Sequence, residues 1–193
     1  MIISPRANIA IVAPTTGVMA HHFQRVMQGL CDAANGLFAG TVSGALFEVG
    51  SIPAGASLLR INFDLTFTSD GASLYLVGRT GAAADVTANS WSKPYNDDAA
   101  TFISLTDTSD AQVVLAQAVQ ADASTGGVHG EVVISNIRSA GYKRVGGWVT
   151  HFDGSRERAN LIAGRIDTTS PLTGFSLAPS AGTISGYVRV EAP

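Results

Sequence analysis

Apolar and polar residues alternate most regularly between residues 58 and 68. A period of two places successive side chains on opposite faces of a strand, so this pattern predicts a strand with one buried and one exposed face. Residues 53–55 and 69–71, which contain Pro and Gly, predict turns on either side of the strand. The predicted buried positions are Leu59, Ile61, Phe63, Leu65 and Phe67.

Short apolar segments of the same kind continue to the C-terminus, at the spacing typical of a β-sandwich or barrel. Between residues 78 and 101 we predict a long loop that contains Trp91 and Tyr95. Asp153 and Gly154 predict a hairpin with a type I′ turn, in which both central residues need a positive φ. The predicted strands are 46–49, 60–67, 74–77, 102–105, 112–119, 128–137, 145–152, 156–166, 175–177 and 184–190.

Residues 1–40 differ from the rest of the chain. The apolar run 9–13 predicts a short strand or an extended arm that ends at Pro14. Apolar residues then recur at helical spacing between Met19 and Ala34, which predicts one short helix. We therefore expect an N-terminal arm and helix over residues 1–40 and a single β-domain over residues 41–193.

The composition limits the classes of partner. Charged residues make up only 14 % of the 193 residues, so part of the surface is expected to be covered by other subunits. The 12 basic residues form no run, which argues against a nucleic-acid partner. No apolar run approaches the ~20 residues of a membrane helix, and residues 1–15 lack the pattern of a signal peptide. We therefore expect that the protein has no membrane partner and is synthesised in a bacterial cytoplasm.

Three segments carry a resemblance to a known family: the Ile-Pro-Ala-Gly turn at 52–55 with its alternating strand, the Ser-Asp-Gly-Ala-Ser turn at 69–73, and the closing segment 174–190. Together they resemble the jelly-roll domain of tailed-bacteriophage virion surface proteins. The resemblance runs loosely from residue 46 to residue 190. It implies an all-β, jelly-roll-like antiparallel β-sandwich of about eight strands, following the arm and the short helix.

The resemblance also implies a function. Such proteins are peripheral virion components, commonly trimers, on the head or at the tail. Because no fibre shaft precedes the domain, we expect an oligomeric capsid decoration protein that binds the major capsid protein and cements the shell. The alternative is a tail-tip or tail-fibre protein that recognises a host surface glycan. Candidate assembly contacts are Ile9, Ile11, Val12, Phe23, Arg156 and Arg158.

Two groups of aromatic residues have different predicted roles. Trp91 and Tyr95, with the nearby Asn96, would suit stacking and hydrogen bonding to a sugar from the predicted loop. The alternative for Trp91 is that it folds back and fills the sandwich. Trp148 alternates with apolar neighbours and is predicted to be a core residue.

The sequence contains no motif that predicts catalysis or a metal site. G-x-S-x-G and H-E-x-x-H are absent and no paired carboxylates stand out, so an enzyme acting on glycans is only a third alternative. His21 and His22 are adjacent on the predicted helix, while His129 and His151 occupy polar strand positions. The acidic residues of 97–98 and 107–110 lack the spacing of a calcium loop and are expected in turns. Cys31 is predicted to be an apolar helix residue rather than a reactive thiol. We predict no metal and no cofactor.

Overall fold

The computed structural model describes residues 38–81, 84–86, 89–97, 101–121 and 127–193, with the side chains of Phe38, 84–85, 90–97 and 101–110 excepted. The predicted arm and helix lie outside this part of the chain. So do Ile9, Ile11, Val12, Phe23 and the cysteine at position 31.

Thirteen strands make up the regular secondary structure of the described residues. They are β1 (Phe38–Gly44), β2 (Phe47–Val49), β3 (Leu58–Phe67), β4 (Ala72–Thr80), β5 (Ala84–Asp85), β6 (Asn89–Asp97), β7 (Thr101–Asp110), β8 (Val113–Val119), β9 (Val128–Ser135), β10 (Lys143–Phe152), β11 (Glu157–Ile166), β12 (Gly174–Pro179) and β13 (Ile184–Glu191).

The strands form two antiparallel sheets. The large sheet has eight strands in the order β1-β13-β3-β9-β10-β11-β6-β7. The small sheet has the order β2-β12-β4-β5, and β8 also pairs with β4. The predicted all-β antiparallel sandwich is thus confirmed.

The core is built from the inward-facing residues of both sheets. The predicted alternation of β3 is confirmed, since Leu59, Ile61, Phe63, Leu65 and Phe67 are all at most 3 % exposed. The small sheet contributes apolar residues from β4, β8 and β12 to the same cluster. The outward positions of β3 are therefore available to form a surface on the large sheet.

The prediction of a long loop between residues 78 and 101 is wrong. Residues Asn89–Asp97 form β6, which pairs with β11 and β7, so Trp91, Tyr95 and Asn96 lie on a central strand. The acidic segment 107–110 lies in β7 and not in a turn. Mixed polar residues and Pro94 hide the strand pattern of this hairpin, and backbone pairing to β11 holds it in the sheet. Strand β1 was also not predicted, and it spans the boundary placed between residues 40 and 41.

Two predictions about β10 are also wrong. Trp148 is 42 % exposed on the outer face, because the core-facing positions of β10 are those of Val145, Gly147 and Val149. His151 continues that inward series and is buried rather than at a polar position. Its Nε2 lies 2.8 Å from the carbonyl oxygen of Gln117 in β8.

The hairpin between β10 and β11 is confirmed, but its turn is not type I′. The last strand pair is Phe152 with Glu157, so the connecting loop has residues 153–156 rather than two residues. Of the two predicted turn residues only Gly154 has a positive φ, of 90°. The carboxylate of Asp153 instead organises the loop by accepting hydrogen bonds from the backbone N–H groups of Ser155 and Arg156, at 2.9 and 3.0 Å.

Candidate functional site

A groove of about 460 Å³ lies on the outer face of the large sheet, across β13, β3 and β9. Its position follows from the period of two, because the inward residues of these strands fill the core and the polar residues between them face outward. The lining residues are Arg60, Asn62, Phe63, Asp64, His129, Glu131, Tyr187, Arg189 and Glu191.

Strand register arranges the groove in two parallel rows. Tyr187, Asp64 and His129 are directly paired across β13, β3 and β9. In the next row Asn62 and Glu131 are paired, and Glu131 is paired in turn with Trp148 on β10. Tyr187 and Trp148 are three strands apart, which is roughly 14 Å at the usual strand spacing.

Exposed aromatic residues stand at both sides of the groove. Tyr187 is 47 % exposed on β13, and Trp148 is exposed on β10. The ring of His129 lies between them and is 5.2 Å from the Trp148 ring, centroid to centroid. Leu161, paired across from Trp148, is 57 % exposed and extends the apolar surface onto β11. The groove therefore has one exposed aromatic residue in its lining, Tyr187, and a second, Trp148, next to the lining residue His129.

One end of the groove is occupied by ion pairs. The guanidinium of Arg60 lies 3.6 Å from a carboxylate oxygen of Glu131 and 3.6 Å from one of Glu191. Arg189 forms an ion pair with Glu191 as well. The positive charges at this end are thus already compensated by the protein's own carboxylates.

The other end carries polar groups without such partners. Within the part of the chain that the structure describes, the side chains of Asp64 and Asn62 form no hydrogen bond, and neither does the hydroxyl of Tyr187. A carboxylate accepts hydrogen bonds only, whereas a carboxamide both donates and accepts them. The pair is therefore suited to a ligand whose groups both donate and accept.

The predicted sugar-binding residues lie on the same sheet but beyond β11. Cα pairing places Trp91 opposite Gly164 and Tyr95 opposite Asn160. Asn96 is paired with Phe102 of β7. The side chains of these three residues are not among those described. Of the polar groove residues only His129 was considered from the sequence, although the polar positions of β3 and the Gly-Tyr-Val-Arg-Val segment at 186–190 were visible signals.

The predicted assembly arginines lie at the β10–β11 turn. Arg158 donates a hydrogen bond from Nε to Asp153 Oδ2 at 2.6 Å, so its charge is engaged within the chain. Burial alone would raise the pKa of Asp153, but hydrogen bonds from Ser155, Arg158 and Arg156 outweigh burial and lower that pKa far below its usual value. Arg156 lies in the same turn, half-buried.

Metal sites and membrane-spanning helices are two further features that the described residues could carry. No group of three or more His, Cys, Asp or Glu side chains among them is placed to hold a metal ion. No helix in the described ranges is long and apolar enough to cross a membrane.

Comparisons with known proteins show no family. No family model and no curated protein matches the chain. Among solved structures, it is similar to a family 16 glycosyl hydrolase protein from Mycobacterium smegmatis, at 10 % identity and a TM-score of 0.25 over 80 % of this chain and 75 % of that one. A glycosyl hydrolase family protein from Mycobacterium fortuitum gives 12 % identity and a TM-score of 0.26 over 80 % and 74 %. VP2 of an infectious bursal disease virus subviral particle gives 14 % identity and a TM-score of 0.17 over 94 % and 46 %. Scores this low carry no argument about function.

Proposed function

We propose that this chain is a non-enzymatic virion protein of a tailed phage that recognises a host surface glycan through the groove on its large sheet. One observation carries the proposal: two exposed aromatic rings, those of Trp148 and Tyr187, flank unpaired polar side chains. Sugars present apolar C–H faces that stack on aromatic rings, and hydroxyl groups that hydrogen-bond to carboxylates and amides. Sites of this kind combine aromatic walls with a few placed polar groups.

The charge arrangement favours binding over hydrolysis. Glycoside hydrolysis normally needs two carboxyl groups, one as acid and one as base or nucleophile, on either side of the scissile bond. Glu131 and Glu191 are both engaged by Arg60, which leaves Asp64 as the unpaired carboxylate of the groove. A recognition site retains the sugar without requiring that second free carboxyl group.

Capsid decoration is a second candidate, and Leu161 favours it. This residue is 57 % exposed beside Trp148, and exposed apolar surface on a chain of only 14 % charged residues is typical of a subunit contact. In that case the outer face of the large sheet would pack against another copy, as in a trimer, or against the major capsid protein. Both candidates place the protein in the virion.

The two functions are separated by paired substitutions. Trp148→Ala and Tyr187→Ala should each weaken binding to immobilised oligosaccharides about tenfold or more, whereas Leu161→Ala should leave binding within about twofold. Under the decoration hypothesis Leu161→Ala reduces the oligomer mass or the occupancy on particles, and no oligosaccharide is bound. Gold labelling of intact particles gives the location: label at the tail supports glycan recognition, and label over the head supports decoration.

A further inference from the structure

We infer that the groove selects an uncharged oligosaccharide and rejects its acidic counterpart. This inference rests on the proposed glycan recognition and adds the chemical class of the ligand. Phage hosts carry both neutral and acidic surface polysaccharides, so the class decides which host surface the protein can use. Three features of the groove support it: the charge of the lining, the ion pairs of its arginines, and the unpaired groups at its other end.

The lining carries more negative than positive charge. It contains two guanidinium groups, those of Arg60 and Arg189, and three carboxylates, those of Asp64, Glu131 and Glu191. An acidic sugar placed over this surface meets an excess of like charge. Like charges held close together are unfavourable even where water screens them in part.

The arginines are not free to attract an anion. Arg60 lies between the carboxylates of Glu131 and Glu191, at 3.6 Å from each. Arg189 is held by Glu191. A sugar carboxylate that bound either guanidinium would displace a protein carboxylate, and the displaced group would remain beside it in the groove. The exchange therefore gains no ion pair and adds a repulsive contact.

The end of the groove opposite the ion pairs is suited to hydroxyl groups. Asp64 and Asn62 are two residues apart on β3, so both side chains face outward on the same side of the sheet. An Asp carboxylate accepts two hydroxyl hydrogen bonds, and an Asn amide donates to one hydroxyl and accepts from another. Asp64 is unpaired in the described structure, so a sugar carboxylate would approach an uncompensated charge, whereas a hydroxyl group would form a charge-assisted hydrogen bond.

The aromatic rings give the direction of the ligand. Tyr187 and Trp148 are separated across the strands, with Asp64 and His129 between them. A separation of roughly 14 Å exceeds the length of one sugar ring, so the ligand is a chain that crosses the strands and contacts both aromatic residues. Monosaccharides should therefore bind much more weakly than oligosaccharides.

Matched pairs of oligosaccharides test the charge selection directly. The probes are oligomers of glucose, galactose and mannose, each compared with the oligomer of the corresponding uronic acid, which differs only in oxidation at C6. Affinities are measured by calorimetry at about 50 mM and about 500 mM NaCl, conditions that span strong and weak screening. We expect a neutral oligomer to bind at least tenfold more tightly than its uronic-acid partner, with little dependence on salt.

Two variants connect this selection to Asp64. Asp64→Asn keeps the shape and removes the charge, and it should weaken neutral binding about tenfold while strengthening binding of the uronic-acid oligomer. Glu157→Gln is the matched control: it changes the net charge by the same amount at an exposed position on β11 and should change neither affinity. Thermal unfolding of both variants checks that they remain folded.

The outcomes separate the inference from the proposal on which it rests. Tight, salt-sensitive binding of a uronic-acid oligomer, abolished by Trp148→Ala, would overturn the charge selection and leave glycan recognition standing. Neutral binding that Asp64→Asn does not weaken would also overturn the inference. Absence of binding to every oligomer in the panel would overturn both.

Discussion

The rings of His129 and Trp148 lie 5.2 Å apart at an interplanar angle of 57°. The two residues are diagonal neighbours, because Thr150 is the direct partner of His129 and Glu131 is that of Trp148. Diagonal pairs in antiparallel sheets are within reach of aromatic side chains. The contact holds an exposed indole against the sheet before any ligand arrives, which lowers the entropic cost of binding.

Removal of this contact should affect binding more than stability. His129→Ala is expected to weaken binding of a neutral oligosaccharide about two- to twelvefold, corresponding to the roughly 0.5–1.5 kcal/mol that it costs to immobilise a side chain on binding. Because His129 is exposed, we expect the free energy of unfolding to change by less than about 0.5 kcal/mol. Calorimetry and urea denaturation measure the two quantities. Thr169→Ala, an exposed change in the loop before β12, is the control, and equal losses of affinity in both variants would contradict the role of His129.

Alanine substitution at two adjacent glycines of β10 should change the free energy of unfolding in different ways. A Cβ atom at Gly147 would lie 2.1 Å from the carbonyl oxygen of Glu131, whereas at Gly146 the nearest atom, the carbonyl oxygen of Ile162, is 3.9 Å away. Gly147→Ala must therefore push β9 and β10 apart and should lower the free energy of unfolding by about 1–3 kcal/mol or more. Gly146→Ala should be neutral or stabilising by up to about 1 kcal/mol. Denaturation of the two variants side by side is the test, and similar stabilities would show that the strands do not pair this closely.

The β10–β11 turn should make stability dependent on acid pH. The pKa of Asp153 is lowered in the folded chain, so its stabilising contribution is present above the unfolded value of about 3.9 and is lost as the pH falls below it. Asp153→Asn should cost about 1–3 kcal/mol at neutral pH, and the cost should shrink at lower pH. Urea denaturation between about pH 2 and pH 6 measures the difference, with Glu157→Gln as the control on the same hairpin. A cost that stays constant over this range would rule out the charge of Asp153 as its source.

At alkaline pH the free energy of unfolding should depend on the protonation of Lys143. This side chain is fully buried, and its Nζ donates to the carbonyl oxygens of Ser139 and Gly141 at 2.7 and 2.8 Å. Burial lowers its pKa, so the unfolded chain binds more protons in the window between the lowered value and about 10.4. Across that window the free energy of unfolding should therefore rise with pH. The neutral amine can still donate to both carbonyl groups, so deprotonation does not remove these hydrogen bonds.

Lys143→Met tests this assignment. The variant should lose the rise in stability that precedes about pH 10.4, and Arg144→Met, an exposed change at the next position, should retain it. Urea denaturation at several pH values provides the measurement. If the difference between the wild-type chain and Lys143→Met does not change with pH, the buried amine does not titrate in this range.

Strand pattern could be predicted wherever one face of a strand is apolar and the other polar. The alternation of β3 is clear in the sequence, and its buried positions are the ones predicted. The β10–β11 hairpin was also visible from its Asp-Gly pair, although the type of turn was not, since four residues rather than two connect the strands. In β6 and β7 polar residues interrupt any period, and pairing with β11 through the backbone keeps these segments in the sheet.

The face of Trp148 could not be predicted from its neighbours. Gly147 and Val149 flank it, and both face the core, so a large apolar residue between them is easily assigned to the same face. Because glycine has no side chain, Gly147 gives no signal of burial, and the register with β9 decides which face Trp148 occupies.

The sequence alone determined that this chain is an antiparallel β-sandwich and which residues of β3 fill its core, because period-two burial is a local property. Tertiary structure alone decided that Asp64, His129 and Tyr187 share one groove with Trp148 beside it, because these residues are distant in sequence and only strand order and register bring them together.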